Sequence, residues 1–114
     1  MTELLDLYKL AEQDGITVDC FDLGSREALS IMGLDGDCYI AVDPFKLEST
    51  QDERLKLAHE MGHCKTGSFY NRFAARDIRQ KHETRANKWA IEQLIPEEEL
   101  DGAIADGYTD LYSL

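Results

Sequence analysis

The protein is poor in several residue types at once. Its 114 residues include two prolines, Pro44 and Pro96, a single tryptophan, and three cysteines, Cys20, Cys38 and Cys64. Three cysteines are an odd and sparse set, so no disulfide framework is expected and a reducing compartment fits. No apolar run approaches the roughly 20 residues needed to cross a bilayer. The start, Met1-Thr2-Glu3-Leu4-Leu5-Asp6, lacks the basic and apolar regions of a secretory signal. The expected location is therefore cytoplasmic. Internal repeats and low-complexity stretches are also lacking, and 114 residues suit one domain rather than two.

Positive charge is scarce too. Twelve Lys+Arg face 23 Asp+Glu, for a net charge of −11. A phosphate backbone needs cations, so direct nucleic-acid binding is not expected. The imbalance is uneven: residues 51–95 carry 9 basic and 6 acidic side chains, whereas residues 96–114 carry 6 acidic and no basic ones. Such acidity keeps a protein soluble, or draws a basic protein partner through complementary fields. What is present, 43% hydrophobic and 31% charged residues, is the composition of a soluble globular domain.

Periodicity supplies a coarse map. Leu4, Leu5, Leu7, Tyr8, Leu10 and Ala11 are spaced for one helix face, ended by Asp14-Gly15. Three short strands are predicted at 16–23, 28–32 and 38–42, with Ile16, Val18, Cys20, Phe21 and Cys38 facing a core. Asp35-Gly36 lies between the last two, which predicts a hairpin. Thr50-Gln51-Asp52-Glu53 reads as a capping box opening a helix over 51–64, closed near Gly67. The basic stretch Lys65, Arg72, Arg76, Arg79 and Lys81 reads as a solvated loop, with docking of an acidic substrate segment as the alternative. A second helix is predicted from His82 to Leu94, closed by Pro96, before an acidic tail. The expected fold is one α+β domain over 1–114. A small, mostly antiparallel sheet packs on the two C-terminal helices, with the N-terminal helix outside, a minimal zincin-like arrangement.

The chemistry concentrates in Ala58-His59-Glu60-Met61-Gly62-His63. Residues four apart share a helix face, so His59 and His63 can offer both imidazoles to one metal ion. Glu60 sits about 100° round the helix. There it can take a proton from a water activated by the metal, without being aimed as a ligand. This division of labour is that of metal-dependent hydrolysis. Gly62 costs about 1 kcal/mol of helix propensity relative to Ala, so it needs a packing or access reason. Leu57 and Met61 read as core.

A catalytic zinc site usually takes a third protein ligand. The candidates are Asp77, His82, Glu83 and Glu92; Glu83, at the start of the second helix, is preferred, and His82 is its rival. Ala86 and Ala90 allow the two helices close approach, and Asn87 then reaches the second ring nitrogen of a ligand histidine. Tyr70 is a candidate oxyanion donor, with Tyr108 and Tyr112 behind it. Cys64 follows a ligand directly; it reads as a small half-buried residue, with an inhibitory thiolate ligand as the alternative.

The run from Ala58 to Cys64, with Thr66-Gly67, Phe69-Tyr70, Glu83-Thr84-Arg85-Ala86-Asn87-Lys88-Trp89-Ala90 and Leu94-Ile95-Pro96, resembles the ImmA/IrrE family of metallopeptidases. The resemblance extends from about Cys38 to Tyr112. It implies a zinc ion held by His59, His63 and Glu83, with Glu60 as general base. It also implies site-specific cleavage of a helix-turn-helix repressor, which derepresses phage, mobile-element or stress genes. Related proteins often carry Asp where Asn87 stands, and often continue through more helix at the C-terminus. Two other functions stay open from the residues: a non-catalytic metal-binding partner of a repressor, and a toxin-like component of a two-gene module. Manganese, iron or cobalt also suits this ligand set.

Overall fold

The computed structural model describes residues 2–70 and 73–95. The element order is α1 (Leu4–Gln13), β1 (Thr17–Cys20), β2 (Ala28–Met32), β3 (Cys38–Val42), α2 (Thr50–Thr66) and α3 (Arg76–Leu94). The protein is thus α+β, with three helices and a small three-stranded mixed sheet among the described residues. No described helix is long and apolar enough to cross a membrane.

The sheet order is β1-β3-β2. β2 and β3 form the expected antiparallel hairpin, but β1 pairs parallel with β3, so the sheet is mixed rather than mostly antiparallel. The cause lies in residues 21–27, which carry the backbone over the end of β3. Phe21 N–H donates to Val42 O at 3.0 Å, and Asp43 N–H donates to Glu27 O at 2.9 Å. The buried Asp43 carboxylate fixes this crossing by accepting from Leu23 N–H at 3.0 Å and from Lys46 Nζ at 2.6 Å. The Lys46 ammonium, together with the Leu23 and Phe45 amides, holds the Asp43 carboxyl below its ordinary range.

One face of the sheet, through Ile40 and Val42, packs on Leu57, Ala58 and Met61 of α2. Leu7 and Ala11 of α1 and Ala90, Ile91 and Leu94 of α3 complete the same core. Burying these apolar side chains is the main drive for the assembly, at about 25 cal/mol per Å². Arg54 ties the helices together where they meet. Its guanidinium donates to Leu94 O at 3.0 Å and to Thr2 O at 2.6 Å, so a carbonyl at the end of α3 is satisfied from α2.

Strand β1 is shorter than expected, Thr17–Cys20 rather than 16–23, which leaves Phe21 exposed past its end, and three helix boundaries differ as well. The α2 N-cap is Ser49, whose hydroxyl accepts from Asp52 N–H at 3.0 Å, one residue before the expected cap. Helix α2 runs on to Thr66, two residues past the expected end, before Gly67 closes it in the left-handed conformation at φ 66°. α3 begins at Arg76 rather than His82, because Arg76-Asp77-Ile78-Arg79-Gln80-Lys81 contains no helix breaker and Asp77 suits the first turn. The basic residues Arg76, Arg79 and Lys81 therefore lie on a helix, not a loop. Pro96, the acidic tail, Tyr108 and Tyr112 lie outside the described residues, as does Arg72.

The cysteines are also corrected. Cys38 and Cys64 form a disulfide, with Cα atoms 5.8 Å apart, linking the start of β3 to α2. Cys64 is thus no metal ligand, and the expectation of no disulfide is overturned. Cys20 is exposed at the end of β1 rather than in the core.

Candidate metal centre

Close approach of α2 and α3 creates the site. At Gly62 a Cβ would collide with the Ala86 carbonyl oxygen and lie 2.8 Å from Ala86 Cα. Gly62 is thus the contact point that lets α3 come close enough to bring Glu83 over the α2 histidines. Ala86 and Ala90 are fully buried in that interface.

His59, His63 and Glu83 each offer a ligand atom, all within 4.8 Å of one another. His59 Nε2 lies 2.6 Å from Glu83 Oε2, and His63 Nε2 lies 3.3 Å from both Glu83 oxygens. The two rings meet edge to face with centroids 4.9 Å apart, which directs their Nε2 atoms to one point. Each ring is held from behind. His59 Nδ1 donates to Asn87 Oδ1 at 2.6 Å, and His63 Nδ1 donates to Ser68 O at 2.5 Å. With Nδ1 engaged by oxygen acceptors, Nε2 is the ligating end of each ring. Two imidazoles and a carboxylate so arranged fit a divalent first-row metal ion.

The electrostatics agree with the geometry. Burial opposes the charged form of each group, but the contacts outweigh it. The hydrogen bonds to Glu83 raise both His59 and His63 above the ordinary imidazole range. Hydrogen bonds from His59, His63 and Tyr70 hold the Glu83 carboxyl well below the usual carboxylate range. The Glu83 carboxylate thus draws positive charge to both Nε2 atoms, which protons supply here and a metal ion would supply in their place.

Glu60 faces the same cleft, of about 180 Å³, which is also lined by Arg26, Ser30, His63, Tyr70 and Glu83. The Ser30 hydroxyl on β2 donates to Glu60 Oε1 at 2.7 Å and fixes the carboxylate beside the ligand group. Tyr70, the candidate oxyanion donor, is brought to the site, where its hydroxyl donates to Glu83 Oε1 at 2.6 Å and holds that carboxylate. Burial, and then the hydrogen bond to Glu83, push the Tyr70 hydroxyl up to about 12, so it stays a proton donor. His82 is not part of the ligand group. Its ring stacks on Tyr70 with centroids 5.9 Å apart.

Sequence reasoning misses three contributors. Ser68 acts through its backbone carbonyl, which carries no residue-type signal. Ser30 is one polar residue in a short strand, and only the packing of β2 on α2 reveals its partner. Arg26 lies in the turn before β2, far in sequence from the motif. Comparison of the sequence and fold with protein-family models, with curated proteins and with solved structures returned no match.

Proposed function

We propose that the protein is a zinc-dependent endopeptidase, a minimal zincin-like enzyme of the ImmA/IrrE kind, whose substrate is a helix-turn-helix repressor. The observation that carries this reading is the pairing of two functions in one cleft. His59, His63 and Glu83 converge as a ligand set, and Glu60 stands beside them as a separately anchored carboxylate. A purely structural metal has no use for a free carboxylate held at its edge.

When bound, zinc supplies a Lewis acid that polarises the peptide carbonyl and makes a water acidic enough to attack near neutral pH. The protein's own residues supply the rest. Glu60 Oε1 is oriented by Ser30, and the carboxylate accepts the proton of the attacking water and returns it to the leaving amine. Asn87 and the Ser68 carbonyl keep both imidazoles in the ligating tautomer. Tyr70 holds Glu83 in place. The repressor as substrate rests on the family resemblance and on the acidic composition, which favours a basic DNA-binding partner.

The test is cleavage of a helix-turn-helix repressor encoded beside the gene, followed by mass spectrometry. Glu60→Gln is expected to keep its zinc and to lose about 100- to 10,000-fold in rate. Cleavage undiminished in Glu60→Gln would contradict the assignment of the base.

A further inference from the structure

The site carries a cation that the chemistry above does not use. Arg26 lines the cleft alongside Ser30, Glu60 and Tyr70. Its side chain has no ion-pair or hydrogen-bond partner among the described residues. The nearby carboxylates are otherwise occupied: Glu60 by Ser30, Glu83 by His59, His63 and Tyr70, and Glu27 by Lys56. In a protein of net charge −11, an unpaired arginine at the cleft offsets locally the field that would repel an acidic ligand.

We propose that Arg26 anchors a carboxylate of the substrate next to the bond that is cut. A guanidinium presents two parallel N–H donors that match a carboxylate, which a lysine cannot do. The carboxylate belongs to an Asp or Glu side chain, as an endopeptidase requires; a free C-terminus held there would instead make the site a carboxypeptidase. This inference rests on the peptidase reading and names its substrate chemistry: a segment acidic near the scissile bond, within an otherwise basic repressor.

The probe is a mixture of synthetic peptides carrying Asp or Glu, or else Asn or Gln, each made with a free or an amidated C-terminus. Retention is measured on immobilised, zinc-loaded Glu60→Gln protein, and cleavage by the zinc-loaded wild type is followed in parallel. Carboxylate peptides are expected to be retained about three- to fivefold over their amide counterparts, the range of a partly exposed ion pair. Adding Arg26→Gln to the Glu60→Gln protein should bring that ratio to about one, whereas Arg26→Lys should preserve part of it. Selection for side-chain carboxylates is expected, and selection for the terminal carboxylate instead contradicts the endopeptidase assignment. Equal retention of acid and amide peptides, or a ratio unmoved by Arg26→Gln, overturns the proposal. Cleavage without a carboxylate preference contradicts the anchor alone; a preference dependent on Arg26 without any cleavage keeps the anchor and contradicts the peptidase reading.

Discussion

At the residue scale, each ligand histidine is fixed by an oxygen at its rear nitrogen, and the two oxygens differ in kind. His63 uses a backbone carbonyl, which no side-chain substitution can remove. His59 uses the Asn87 amide, which one can. Asn87→Ala should therefore weaken zinc binding about 10- to 100-fold, as removal of such outer partners generally does. Competition with a chelating dye checks this, and unchanged affinity would contradict the role given to Asn87. The contrast also explains which parts of the site are legible in the sequence. His59, Glu60 and His63 are legible because a four-residue spacing fixes a helix face, and Asn87 because it lies one turn beyond Glu83. The Ser68 carbonyl and the Ser30 hydroxyl are not legible, since their parts depend on where the Gly67 turn and β2 fall in space.

At the element scale, Gly62 decides how near α3 comes to α2. Gly62→Ala would place a methyl group on the Ala86 backbone, which has no side chain to move aside. The expected result is a loss of about 1 to 3 kcal/mol in stability, typical of overpacking, together with weaker metal binding as Glu83 is displaced. Urea unfolding and zinc titration measure the two effects; an unperturbed variant would contradict the close contact. The helix pair is readable from Gly62, Ala86 and Ala90, because small residues at matching positions imply backbone contact. The start of α3 is not, because a dense run of basic residues resembles a loop although each is a sound helix former. The parallel placement of β1 is equally hidden. It depends on the crossing over β3 that Asp43 pins by hydrogen bonds to Leu23 and Lys46.

At the scale of the whole molecule, the Cys38–Cys64 disulfide joins the sheet to α2, which carries His59 and His63, across a sequence separation of 26. Closing a loop of that length removes unfolded-state entropy equivalent to about 3 to 4 kcal/mol. The double substitution Cys38→Ser, Cys64→Ser should lower the unfolding free energy by about that amount. Equilibrium urea unfolding under oxidising and reducing conditions measures it, and identical midpoints for the wild type in both would contradict a formed disulfide. The same bond removes the cysteine-based ground for a reducing compartment. It is not legible in the sequence because pairing depends on how β3 lies against α2. The two parts of the molecule's chemistry are thus tied to one scaffold: the sheet orients Glu60 through Ser30, and the helix pair holds the ligand group.

The most direct test of the central claim is metal content, measured by elemental mass spectrometry on the purified wild type beside His59→Ala and Glu83→Ala. The predicted result is about one zinc per protein molecule in the wild type, lost or strongly weakened in both variants. Zinc retained at full occupancy in Glu83→Ala, or no metal bound by the wild type even after reconstitution, would contradict the site described here.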